Sequence, residues 1–271
     1  MLESGHRYGG GLSPKSVRNI HGVLSSALKW GLKRKYIQDL PTLRVELPKY
    51  RGKRPDVLNI KKSEQLIESL NGHWQQPIVI IAIDTGMRLG EILALHWRHI
   101  DWDTKRLTIE QAISYTKELG DFIKDTKTTS GERTIDLTER TLDSLEILQR
   151  KRREAIMQLK DSRNLGKNDA PIFDRMHCGS GDLLQLVHGD YVGEHFRRRT
   201  QKIGIKIRFH DLRHTHISQC LKNKLPIEYV SKRVGHKSIK MTWDTYSHWI
   251  NDDDDNMTEV FNRQHYENKR L

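Results

Sequence analysis

Three stretches of the chain combine residue types suited to chemistry at a phosphate. Thr85-Gly86-Met87-Arg88-Leu89-Gly90-Glu91 puts an arginine at the expected start of a helix, where unpaired backbone amides make the field positive and welcome an anion. Glu91, three residues on, reaches the same helix face and can hold the guanidinium in place. His210-Asp211-Leu212-Arg213-His214 sets His210 and Arg213 on one helical face while Leu212 turns toward the core. Histidine titrates near neutrality and arginine forks onto phosphate oxygens, so the pair suits phosphoryl transfer. Val234-Gly235-His236 breaks one helix and opens the next with a histidine, ten residues before Tyr246.

Each stretch also has an ordinary reading. An arginine and a glutamate at this spacing commonly form a surface salt bridge. The histidine and arginine of the second stretch can simply cap a helix. Tyr246 shares a helical stripe with Trp243 and Ile250, and a tyrosine on such a stripe is core packing more often than a nucleophile. His210, His214 and His216 suggest a metal, but zinc and two-metal sites need carboxylate or thiolate partners, and an arginine stands in their midst. No metal is expected, and no GxxxxGK[ST] loop is present to hold a nucleotide.

These residues must be positioned by a mostly helical scaffold. Val17, Ile20, Val23, Leu24, Ala27, Leu28 and Leu32 recur at helical spacing over residues 12–36, behind Ser13 as N-cap and Pro14 in the first turn. Leu47-Pro48-Lys49-Tyr50-Arg51-Gly52-Lys53-Arg54-Pro55 resists helix and reads as a basic linker. Beyond it, a short helix is expected from Ser63, a buried one over 78–85 and another over 90–97. Residues 100–111, 122–127 and 133–137 alternate as strands, with turns at Asp103-Thr104-Lys105 and Ser130-Gly131-Glu132, which predicts a small antiparallel sheet. Thr138 caps a long charged helix to about residue 160, and residues 161–171 read as a loop. Helical spacing returns over 189–203, 210–223, 226–234 and 239–250, followed by an acidic connector at 251–256 and a helical tail.

Composition bounds the partner. A chain of 271 residues exceeds the usual single domain, so one substantial core plus a smaller appendage is expected. Hydrophobic residues make up 35% and charged residues 30%, the balance of a soluble folded protein with a polar surface. Lys and Arg number 47 against 35 Asp and Glu, and the net charge of +12 suits a polyanion, nucleic acid first. Cys178 and Cys220 lie far apart outside any CxxC, compatible with a reducing compartment. The longest apolar run, residues 77–83, is far shorter than the ~20 residues that cross a bilayer, so a cytoplasmic, DNA-associated location without membrane contact is expected.

Taken together, Arg88 within TGMRLGEILAL, Lys127 within TKTTSGERTIDL, HDLRHTH at 210–216 and VGHKSIKMTWDTYSH at 234–248 resemble the successive signature blocks of the tyrosine recombinase (phage integrase) family. They stand in the family's order and span roughly residues 57–248. The resemblance implies an α+β, mainly helical fold: a recombinase catalytic domain with a small three-stranded antiparallel sheet over 57–271, a linker at 51–56, and a partial helical core-binding region over 1–50. It implies site-specific recombination or integration of DNA through a 3′-phosphotyrosine. Arg88, Arg213 and His236 would contact the scissile phosphate, His210 would assist proton handling, and Tyr246 would attack phosphorus. Lys127 would protonate the departing 5′ oxygen, with Lys124 as its rival, and Glu91 would stand behind the arginines. The implied partner is double-stranded DNA, bound by a homotetramer spanning two duplexes, with no cofactor.

The physics of the reaction agrees with those roles. In-line displacement at a phosphodiester gathers negative charge on the nonbridging oxygens, which two fixed guanidiniums offset. A phosphotyrosine ester retains the energy of the broken bond, so religation needs no nucleotide. The sequence departs from the family at its front. Only the closing helices of a core-binding domain are matched by LSPKSVRNIHGVLSSALKWGLKRKYI, whose Lys15, Arg18, Lys29, Lys33, Arg34 and Lys35 can neutralise DNA phosphates. A type IB topoisomerase or telomere resolvase would use a similar pocket. A DNA-binding remnant that cannot cleave, or a metal-dependent nuclease, are the readings from other classes.

Overall fold

The computed structural model describes residues 11–50, 55–125, 131–157, 170–179 and 184–250. The chain divides into two compact units, Met1–Arg54 and Pro55–Leu271. The division falls inside the basic stretch read as a linker.

In the first unit, helix α1 spans Pro14–Lys33. Ser13 caps it by accepting from the Ser16 amide at 3.1 Å, and Pro14 supplies the preset first-turn geometry. A single 3-10 turn, Pro41–Arg44, folds back on the helix through His21, whose ring bonds the Thr42 carbonyl at 3.0 Å. The apolar stripe that made α1 legible is largely uncovered: Ile20, Val23 and Leu24 are exposed, as is Trp30 on the same helix. Among the described residues this unit has one long helix, too little to bury both sides of a stripe.

The second unit is built on α3, Gln76–Thr85, a helix apolar on all sides and buried on all sides. It packs against α5, Glu139–Met157, and α7, Asp211–Lys222, with α2, Ile60–Ser69, at its start. The cap of α2 is Asn59 rather than the region of Ser63, because the Asn59 side chain accepts from the Lys62 amide at 2.8 Å and draws the helix start forward. Thr138 does cap α5, accepting from the Thr141 amide at 3.2 Å.

After α3 comes α4, Leu89–Leu93, shorter than the helix expected over 90–97; Trp97–His99 forms a separate 3-10 turn. The strand region is also more divided than the alternation suggested. β1, Ile100–Asp101, β2, Arg106–Ile109, and β5, Arg133–Asp136, form an antiparallel sheet of order β1-β2-β5, with Leu107 opposite Ile135 and Ile109 opposite Arg133. Among the described residues, β3, Gln111–Thr116, and β4, Gly120–Asp125, pair only with each other as a hairpin. Gly120, at positive φ, lets the chain turn at a place the sequence reading passed over.

α6, Gly189–Lys202, α8, Ile227–Val234, and α9, Ile239–Ile250, complete the described unit. The main core runs from Leu58 to Leu212 and a smaller one gathers Ile217, Leu221, Val230, Val234 and Tyr246. α7 belongs to both, and Arg213 and His214 lie where it passes from one to the other. The acidic connector and tail after residue 250 lie outside the described residues, as does most of the loop read at 161–171.

Candidate active site

α3 ends at Gly86, which turns left-handed at φ +67 directly over α7. A Cβ there would stand 2.6 Å from the His216 ring, so only glycine lets the next residues approach. Arg88 follows as the residue preceding α4, half-buried and extended. With five residues, α4 has little dipole to offer an anion, and the Glu91 carboxylate already takes the Arg88 amide at 3.0 Å. The positive field expected from a helix start is therefore supplied by side chains.

Glu91 is buried and ties two arginines. It accepts from Arg88 Nη1 at 2.8 Å and from Arg133 Nη2 at 2.8 Å. Burial works to raise its pKa, but the bonds and charges of Arg133 and Arg88 outweigh that and hold the carboxylate below its ordinary range. The sequence reading of an exposed pair gives way to a buried relay.

Arg213 is buried on the first turn of α7. It donates to the Gly86 carbonyl at 2.7 Å and to the Val234 carbonyl at 2.6 Å. Arg88 Nη2 donates to the next carbonyl, Gly235, at 3.2 Å. Two guanidiniums attached to consecutive carbonyls at the end of α8 stand side by side. Burial, and then Arg88, pull the Arg213 pKa down to about 9.

Gly235 ends α8 in the left-handed region and hands the chain to His236. The His236 Nδ1 bonds the Thr242 hydroxyl at 2.7 Å. Burial, with Arg213 and Arg88 next, lowers its pKa to about 4, so the ring is neutral at pH 7. Tyr246, one turn beyond Thr242 on α9, is buried, and its hydroxyl bonds Nδ1 of His214. Burial raises the phenol pKa well above its ordinary value although Arg213 acts to lower it. His214 is itself brought to about 4 by burial and then by His210. His210, before α7, is exposed at its outer side, and its ring meets His214 edge-on with centroids 5.0 Å apart. Desolvation and then Arg213 lower its pKa.

Five of the residues singled out from sequence, Arg88, His210, Arg213, His236 and Tyr246, are thus gathered around one cationic centre, with Glu91 behind it. Lys127 lies outside the described residues; Lys124 is exposed on β4, opposite Ala112. Lys15, Arg18, Lys29, Lys33, Arg34 and Lys35 all belong to the first unit and are exposed, with Arg34 stacked over the Trp30 ring at 5.0 Å. Among the described residues, no three His, Cys, Asp or Glu side chains cluster as metal ligands.

Two participants were missed. His214 sits inside a quoted motif, but nothing in its spacing says that it, and not His210, meets the tyrosine. Arg133 had a usable signal: in β5 residues 133 and 135 point inward and 134 and 136 outward, and an arginine on the inward face of a strand needs a buried acid.

The sequence profile of the phage integrase family matches residues 56–252. The chain belongs to that family. Among tyrosine recombinases and integrases, it is 22% identical over 270 residues to the XerC-like tyrosine recombinase of Caldanaerobacter subterraneus subsp. tengcongensis, covering 94% of this chain and 68% of that protein. It is 27% identical over 256 residues to the ICEBs1 integrase of Bacillus subtilis, covering 88% of this chain and 62% of the relative. The fold matches that of the Tn1549 transposon integrase, solved in complex with transposon right end DNA, at a TM-score of 0.75 and 18% identity over 93% of this chain and 80% of that one. Members of that family are DNA strand-exchange enzymes. Among the described residues no helix is long and apolar enough to cross a membrane.

Proposed function

We propose that this chain cuts and rejoins double-stranded DNA at a specific site through a 3′-phosphotyrosine at Tyr246. The observation that carries the assignment is the attachment of Arg88 and Arg213 to adjacent carbonyls at the end of α8, with His236 next in the chain and the Tyr246 hydroxyl linked to the residue after Arg213. The two guanidiniums and His236 hold the nonbridging oxygens of the scissile phosphate. The Tyr246 oxygen bonds phosphorus as the bond to the 5′ oxygen breaks; the phenol proton passes to a neighbouring base, with His210 assisting, and Lys127 protonates the leaving oxygen. Fixed cations stabilise charge where it develops and need no reorganisation, which is the main contribution such a site can make.

In the uncomplexed chain the phenol is protonated and held by His214. Arg213 acts against the effect of burial and eases loss of the phenol proton to the neighbouring base as the oxygen attacks phosphorus. The first unit contributes Lys15, Arg18, Lys33, Arg34 and Lys35 as phosphate contacts, which position the duplex and carry no sequence information themselves. Exchange between two duplexes requires two strands cut on each, so four copies of the chain assemble on DNA as a homotetramer. This work is done on DNA in the cytoplasm.

The test is incubation with a nicked suicide substrate carrying the chain's own target site, in EDTA. A covalent protein–DNA adduct is expected, lost in Tyr246→Phe. Cutting that EDTA abolishes points to a metal nuclease, and specific binding with no adduct points to a non-cleaving regulator.

A further inference from the structure

At the end of α8 three consecutive carbonyls each accept from a different arginine. Arg233 O takes Arg133 Nε at 2.7 Å, Val234 O takes Arg213 Nη2 at 2.6 Å, and Gly235 O takes Arg88 Nη2 at 3.2 Å. The last carbonyls of a helix have no partners within it and carry its negative dipole end, so they suit cations. Two of the three arginines belong to the proposed phosphate centre. The third comes from the sheet. Arg133 directs three of its four remaining donors at Glu91, at 2.8 and 3.4 Å, and at the Gly131 carbonyl at 3.1 Å. Its side chain is 5% exposed, and Glu91's is 4%.

We propose that Arg133 is a positioning residue for the cleavage reaction, fixing Arg88 from two directions: through Glu91, which it holds ionised and in place, and through the end of α8, which presents the Gly235 carbonyl to Arg88. The inference rests on the DNA-cleavage reading above. Arg88 is half-exposed and has a long flexible side chain, so its direction depends on the two acceptors that grip it. One guanidinium holds Glu91 directly and grips the end of α8 at the Arg233 carbonyl, two residues before Gly235. Its Nε reaches α8 and its Nη groups reach Glu91, a span that a single ammonium cannot reproduce. With four of its five N–H donors directed at protein, against two each for Arg88 and Arg213, Arg133 has the least left for phosphate, which separates its role from theirs.

A misplacement of about 1 Å in a group that bears transition-state charge can cost about 100-fold in rate. The experiment measures single-turnover adduct formation at saturating suicide substrate for the wild-type chain, Arg133→Met, Arg133→Lys and Arg88→Ala. Each is run on the phosphodiester and on a scissile methylphosphonate, which lacks one anionic nonbridging oxygen and so depends less on Arg88. Arg133→Met is expected to be about 100-fold slow on the phosphodiester and within about tenfold of wild type on the methylphosphonate, following Arg88→Ala, with DNA affinity changed less than about threefold. Arg133→Lys is expected to fall between, and it carries the test alone should Arg133→Met not fold. Wild-type rates on the phosphodiester in either folded variant, or equal deficits on both substrates, overturn the positioning role. A wild-type chain that forms no adduct overturns the cleavage reading instead.

Discussion

Arg213 is a buried cation whose hydrogen bonds go to the backbone carbonyls of Gly86 and Val234, and its replacement by methionine has two separable consequences. Burial, reinforced by Arg88, takes its pKa from an ordinary 12.5 to about 9. At about 1.4 kcal/mol for each tenfold change, keeping the group charged near neutral pH costs the fold about 5 kcal/mol. Hydrogen bonds from a charged donor return roughly 1.5–3 kcal/mol each, so the two carbonyls offset about 3–6 kcal/mol. The terms nearly cancel, and Arg213→Met should change stability by no more than about 2 kcal/mol, a Tm shift below about 8 °C for a unit of this size. The reaction has no such cancellation. Removing one fixed donor from developing oxyanion charge costs about 10²–10³ in rate, and a charged fork should cost at least about 10³. Thermal denaturation and single-turnover adduct formation on the suicide substrate, run on the same preparation, measure the two effects. A Tm loss beyond about 10 °C with adduct falling only as the folded fraction falls, or adduct formation within about tenfold of wild type, would refute the reasoning.

Acidity should act on the fold through buried histidines. His214, His216 and His236 are each lowered to about 4, chiefly by burial, so they are neutral in the folded chain and take up protons on unfolding below about pH 6.5. Stability present above pH 6.5 is lost as pH falls toward 4, with about 3 kcal/mol from the fully enclosed His216 alone. Urea midpoints at pH 7 and pH 4.5 check this, and an unchanged midpoint contradicts it. Gly86→Ala should destabilise by at least about 1–3 kcal/mol, since a methyl there meets the His216 ring at 2.6 Å on a left-handed backbone; a native Tm would show that the turn over α7 is looser than described.

How much of this was legible can be judged residue by residue. Residue types at local spacing carried most of the helices, because periodicity, Ser13, Thr138 and Gly235 act within a few positions of chain. They also carried Arg88, His210, Arg213, His236 and Tyr246, since each motif is short and its resemblance to the family's blocks is local. Strand β3 was not legible beyond residue 111, because its residues are half-exposed on both faces and so carry little alternation, and only its pairing with β4 reveals it.

The amino-acid sequence alone determined which side chains are available for the chemistry and the helices that carry them, for both are written in neighbours a turn or two apart. Tertiary structure decided that Glu91 is a buried relay between Arg88 and Arg133, that three arginines share the end of α8, and that His214 holds the Tyr246 hydroxyl. Those are meetings of residues far apart in the chain. They depend on how α3, α4, β5, α7, α8 and α9 pack, and burial at that junction is what sets the pKa of Arg213 and of its neighbours.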